Sequence, residues 1–82
     1  MKINKDDLIL LISKALDSDV VVTLDSSLDD IPEWDSLGHL AILTSLDQAT
    51  DGKASSLSKL GDAKSVSEII SILESENLID ET

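Results

Sequence analysis

Ser36 lies between Asp35 and Leu37, where an acidic, Trp-bearing loop gives way to an apolar helical run. A hydroxyl in the first turn of a helix sits beside backbone N–H groups that lack helical partners and beside the positive end of the helix dipole. That setting favours an attached phosphate. Ser36 is therefore a candidate anchor for a phosphodiester-linked prosthetic group. The structural alternative is an N-cap, since Ser or Asp ahead of a helix commonly stabilises it by about 1 kcal/mol without further function. His39 follows three residues later on the same helical face, which raises general-base activation of Ser36. Such catalysis also needs an orienting group and an oxyanion site, and the chain has neither a nucleophile elbow nor a second histidine. His39 is accordingly read as a solvent-facing or partner-contacting residue, and the chain as a protein that is not itself an enzyme.

Composition narrows the chemistry further. The chain has 82 residues, enough for one small domain over 1–82 with little room for an enclosed active site. Cysteine is absent, so disulfides, thiolate metal sites and thiol nucleophiles are excluded unless a cofactor supplies the sulfur. The net charge is −11 and there is no arginine, which argues against nucleic acid as a partner. Between Ala15 and Gly52 stand nine carboxylates (Asp17, Asp19, Asp25, Asp29, Asp30, Glu33, Asp35, Asp47 and Asp51) and no Lys or Arg. A field of one sign around Ser36 would hasten encounters with basic proteins and weaken with salt, although acidity also serves solubility alone. Asp25, Asp29, Asp30, Glu33 and Asp35 do not follow the EF-hand spacing, so no metal site is expected. The longest apolar run, Leu8 to Ile12, is far too short to span a membrane, and the first residues lack the profile of a secretory signal. A cytoplasmic monomer is expected.

Four elements could position Ser36. Asn4 can cap a first helix from about Lys5 to Asp17, with Leu8, Ile9, Leu11, Ile12, Ala15 and Leu16 on one broad face. Ser18 to Asp35 has no sustained helical period, and its three valines have no second β-rich run to pair with, so it reads as a long ordered loop pinned by aliphatic residues. Loops of that length in compact domains are often functional. A second helix runs from Ser36 to about Thr50, with Leu37, Leu40, Ala41, Leu43 and Leu46 marking its inward side and Asp51-Gly52 stopping it. Lys53 to Leu60 allows only a short, marginal third helix. Ser65-Val66-Ser67-Glu68 fits a capping box ahead of a fourth helix carrying Val66, Ile69, Ile70 and Leu73.

The stretch Trp34-Asp35-Ser36-Leu37-Gly38-His39-Leu40, in this layout, resembles the acyl carrier protein family, whose modification motif is Asp-Ser-Leu at the start of the second helix. The Trp-Asp-Ser-Leu-x-His-Leu form is similar to stand-alone carriers outside core fatty-acid synthesis. The resemblance implies an all-α four-helix bundle with a long loop between helices I and II and a short helix III, and it can be laid over residues 3 to 79. It implies 4′-phosphopantetheine on Ser36, placed there by a phosphopantetheinyl transferase, with acyl or aminoacyl cargo held as a thioester. Further partners would be an acyl- or aminoacyl-loading ligase and a downstream transferase with basic docking surfaces. Asp35 matches the motif's acid, which can approach the transferase's Mg²⁺ and basic groups, or serves only as a helix-end charge. Leu37 matches the third motif residue, which contacts partners or the arm, with a core position as the alternative.

Two departures from the family pattern shape the expectation. The glutamates that follow the motif in many fatty-acid carriers are replaced by Gly38-His39-Leu40-Ala41-Ile42, and the apolar-Pro start of helix III by Ala54-Ser55-Ser56. The implied protein is a carrier dedicated to one pathway, whose partners read Gly38 to Ile42 and the Asp29 to Asp35 loop. Gly38 costs the helix roughly 0.5 to 1 kcal/mol against Ala, either to let a partner or the arm come close or as a neutral surface substitution. Trp34 reads as a plug packed on the loop, or else as the mouth of an acyl cavity. The aliphatic core, without Phe or Tyr, could part for a linear tail, each buried methylene contributing about 0.8 kcal/mol. The competing function is an unmodified, acidic, helical interaction module.

Overall fold

Asn4 opens the first helix as its capping side chain requires: its Oδ1 accepts the Asp7 N–H at 2.7 Å, and α1 runs Lys5–Leu16. The computed structural model describes residues 3–17 and 19–80, with only the backbone of Asp80. Ser18, at the expected start of the loop, and Met1, Lys2, Glu81 and Thr82, at the ends of the expected domain, lie outside the described residues. Asp17 closes α1 in the left-handed region, at φ 49°, its N–H returning to the Ser13 carbonyl.

From Asp19 to Asp35 the chain is an ordered loop, and the valine run forms no strand. Side-chain turns hold it. The Ser26 hydroxyl accepts the Thr23 N–H at 2.9 Å, and Asp30 accepts the Ser27 N–H at 3.0 Å. A single antiparallel bridge, Ser27 with Ser65, ties the loop to the segment ahead of the last helix. Fewer aliphatic residues pin the loop than expected: Val22 and Ile31 are buried with Trp34, whereas Val20, Val21, Leu24 and Leu28 are exposed.

Helix α2 spans Ser36–Ala49 and stops where Asp51 and Gly52 turn to φ 56° and 85°. Its inward side matches the expected one at Leu46 and, in part, at Ala41 and Leu43, and departs from it at the helix start. Leu37 and Leu40 are 78% and 58% exposed, while Ile42 and Leu46 are buried and Ala41 and Leu43 partly so. The reason lies at the helix start, where Gly38 faces the interior and places Ile42 and Leu46, four and eight residues on, beneath it.

In place of a short third α-helix the chain makes two 3₁₀ turns, Ala54–Ser56 and Ser58–Asp62. Side chains at the end of α2, Asp47 and the C-cap Thr50, do the work that a helical ladder would otherwise do. The Thr50 hydroxyl donates to the Leu46 carbonyl at 2.7 Å and accepts the Ala54 N–H at 3.0 Å, and Asp47 accepts the Ser55 N–H at 3.1 Å. Helix α3, Val66–Ser75, is capped by Ser65, which accepts the Glu68 N–H at 3.2 Å. The reciprocal half of the expected capping box is displaced by one residue, because Glu68 accepts the Lys64 N–H at 2.8 Å.

Strands β1, Ile3–Asn4, and β2, Ile79–Asp80, pair in parallel with Ile3 opposite Ile79. This pairing joins the two ends of the described chain. The fold is thus small and mostly helical, around one cluster that includes Leu8, Ile12, Ile31, Ile42, Leu46, Leu60, Ile69 and Leu73. Among the described residues no helix is long and apolar enough to cross a membrane. No buried side-chain nitrogen or oxygen among them lacks a hydrogen-bond partner.

Candidate functional site

Loop and helix meet at Asp35, whose carboxylate accepts the Gly38 N–H at 2.9 Å while its carbonyl accepts the first helical bond, from the His39 N–H, at 2.8 Å. Asp35, in extended conformation, is therefore the N-cap, and Ser36 is the first helical residue. The cap role open to Ser36 in the sequence is filled by its neighbour. The Ser36 side chain is exposed, and its hydroxyl makes no hydrogen bond among the described residues. Leu37, beside it, points to solvent, which removes the core reading for that residue. Leu40, one turn on, shares its exposure.

Gly38 is neither a neutral surface substitution nor, in this fold, a gap left for another molecule. A Cβ built there would overlap the carbonyl oxygen of Glu33 and lie 2.8 Å from Cδ2 of Leu16. The glycine admits the protein's own loop, which crosses over the start of α2 and sets the approach of Trp34 and Asp35.

Trp34 is 4% exposed, a plug as the sequence implied. Its indole Nε1–H donates to Nδ1 of His39 at 3.0 Å, and the two rings lie edge to edge and nearly coplanar, with 14° between their planes. On the far side of the imidazole, Nε2 lies 2.9 Å from the carbonyl oxygen of Leu60. An indole N–H can only donate and a carbonyl can only accept, so His39 is the neutral tautomer with its proton on Nε2. The expected solvent-facing histidine is thus corrected to a half-buried link between the loop, α2 and the second 3₁₀ turn. With both nitrogens engaged, the imidazole holds no lone pair to offer Ser36 as a base.

Around these residues lies a cleft of about 520 Å³, lined by Leu28, Trp34, Asp35, Ser36 and His39 on one side and by Gly61 to Lys64 on the other. A second cleft, of about 380 Å³, runs between α2 and the 3₁₀ turns past Leu43, Ala54, Leu57 and Leu60. Protein-family models, curated proteins and solved structures offer no match to this chain. The site's chemistry therefore has to be read from its own residues.

Those residues form an acidic surface with one exposed hydroxyl in it. Of the nine carboxylates between Ala15 and Gly52, Asp47 is half-buried and the others are exposed. Among the described residues no group of three or more His, Asp or Glu converges to hold a metal ion. The structure adds two features that sequence reasoning did not single out, Lys64 and the Leu60 carbonyl, and it turns outward Leu40, which was expected on the inward side of the helix. For Leu40 a signal existed, since three residues separate it from Leu37 and the two share a face. For Lys64 and Leu60 there was none, because only tertiary folding brings residues 60–64 to the start of α2.

Proposed function

We propose that this chain is an acyl carrier protein of the four-helix type, with the two 3₁₀ turns standing where the third helix would be. Ser36 carries 4′-phosphopantetheine, and acyl or aminoacyl intermediates travel on that arm as thioesters for one biosynthetic pathway. The observation that carries this reading is the division of labour at the loop–helix junction. Asp35 caps α2, which leaves the Ser36 hydroxyl exposed at the helix N-terminus with no structural bond to break.

The residues present suit the group. Phosphoryl transfer needs an oxygen nucleophile that an incoming phosphorus can reach in line, and an exposed first-turn hydroxyl satisfies that. A phosphodiester on Ser36 would lie at the positive end of α2. The arm supplies the thiol that a chain without cysteine lacks. Asp35 keeps a carboxylate beside the reacting oxygen, where the transferase's Mg²⁺ and basic groups would meet it. Leu37 and Leu40 present apolar area, and the acidic loop a field, to the transferase, the loading ligase and the downstream transferase. Gly38 and His39 serve recognition indirectly, by holding the loop and the helix in one shape.

Intact-mass measurement after incubation with coenzyme A, Mg²⁺ and a broad-range phosphopantetheinyl transferase tests this reading. Wild type should gain one phosphopantetheine, and Ser36→Ala none. Exposed Leu37 and Leu40 on an acidic surface also suit an unmodified interaction module. A wild-type chain that stays at its unmodified mass would overturn the first reading and favour the second.

A further inference from the structure

Trp34, His39 and Leu60 form a brace across the cleft beside Ser36, and the bond from Trp34 in it depends on His39 being neutral. We propose that His39 is the positioning residue for Ser36, and that its protonation releases Trp34 and loosens the start of α2. The inference rests on the reading of Ser36 as the modified residue, and it adds a control over that site.

The argument is one of hydrogen-bond polarity. In the neutral ring Nδ1 accepts from the Trp34 N–H at 3.0 Å, and the Nε2 proton reaches the Leu60 carbonyl at 2.9 Å. A second proton can enter only at Nδ1, where it would point at the indole N–H. Two donors would then face each other across a bond that had held the loop, while the Leu60 bond would persist and strengthen with charge. Protonation therefore acts on one side of the ring only: it frees the Trp34 side and keeps the 3₁₀ turn attached.

Trp34 is two residues from Ser36, and its loop crosses over Gly38 so closely that a Cβ there would overlap Glu33. Movement of Trp34 is thereby passed to the Asp35 cap and to the hydroxyl next to it. The charged groups lining the cleft with His39 are Asp35, at the cap of α2, and Asp62 and Lys64, from the second 3₁₀ turn and the residues after it. Histidine is the side chain whose ordinary charge change falls between about pH 5 and 8.

The chain has one tryptophan and one histidine, so spectroscopic signals from either are unambiguous. Ring ¹⁵N shifts at high pH should show the Nε2–H tautomer in the wild-type protein; the Nδ1–H tautomer would overturn the proposal. Trp34 emission should change in wavelength and intensity as pH falls from about 8 to 5, and the change should vanish in His39→Gln. Glutamine keeps a donor for Leu60 and does not titrate, while Asp35, Asp62 and Lys64 remain. An emission profile identical in both proteins would sink the idea. The ratio of wild-type to His39→Gln modification rates should shift by about fivefold over the same range, the factor expected for one neutral hydrogen bond. A constant ratio means that His39 is structural only. If the wild-type chain takes up no phosphopantetheine at any pH, the carrier reading fails, and the tautomer and emission results still decide whether the brace exists.

Discussion

A methyl group at position 38 has no place to go. It would fall on the Glu33 carbonyl, which is backbone and cannot rotate aside, and would press on Leu16 of α1. Gly38→Ala should therefore destabilise the fold by about 1 to 3 kcal/mol, as overpacking does, despite the better helix propensity of alanine. A urea titration would show this as a lower midpoint at unchanged slope, and an unchanged or higher midpoint would mean that the loop can shift freely. The same residue illustrates what sequence can and cannot reveal. Its departure from helix-forming residues was visible, and so was the idea of a close approach. That the approaching group is the protein's own loop was not, because Glu33 and Leu16 meet Gly38 only in three dimensions. His39 was hidden in the same way: nothing in its spacing says that a loop tryptophan and a distant carbonyl occupy both its nitrogens.

Elements were more legible than side-chain partners. Helices α1, α2 and α3 begin at Asn4, Asp35 and Ser65, each of which accepts an N–H three residues ahead. Local chemistry sets such starts, so they can be read from short spans of chain. The inward side of α2 could not, since almost every residue from Leu37 to Leu46 is apolar or small and the periodicity is ambiguous. The Asp35 cap makes a prediction of its own. Asp35→Ala should cost about 1 kcal/mol of stability, whereas Asp35→Asn, a cap of equal rank, should retain it to within a few tenths. If the carboxylate also meets the transferase's cations, Asp35→Asn should slow modification of Ser36 at unchanged thermal stability. Equal modification rates for Asp35→Asn and wild type would confine Asp35 to capping.

At the scale of the molecule, charge dominates. With a radius of gyration of 11.3 Å, the whole chain lies within the roughly 30 Å Debye length of a 0.01 M salt solution, so its −11 charge repels itself throughout. Raising sodium chloride from about 0.01 M to about 1 M contracts that length to about 3 Å. The melting temperature should then rise while kcat/KM for modification by a basic transferase falls; a modification rate indifferent to salt would remove steering by the acidic front. Composition, helix starts and the acidic loop were determined by the amino-acid sequence itself, because each depends on residues close to one another along the chain. The pairing of Ile3 with Ile79, the 3₁₀ turns held by Thr50 and Asp47, the outward turn of Leu37 and Leu40, and the Trp34–His39–Leu60 brace were decided only by the tertiary structure. Each of these needs groups that local propensity does not bring together, and burying one shared aliphatic core is what places them side by side.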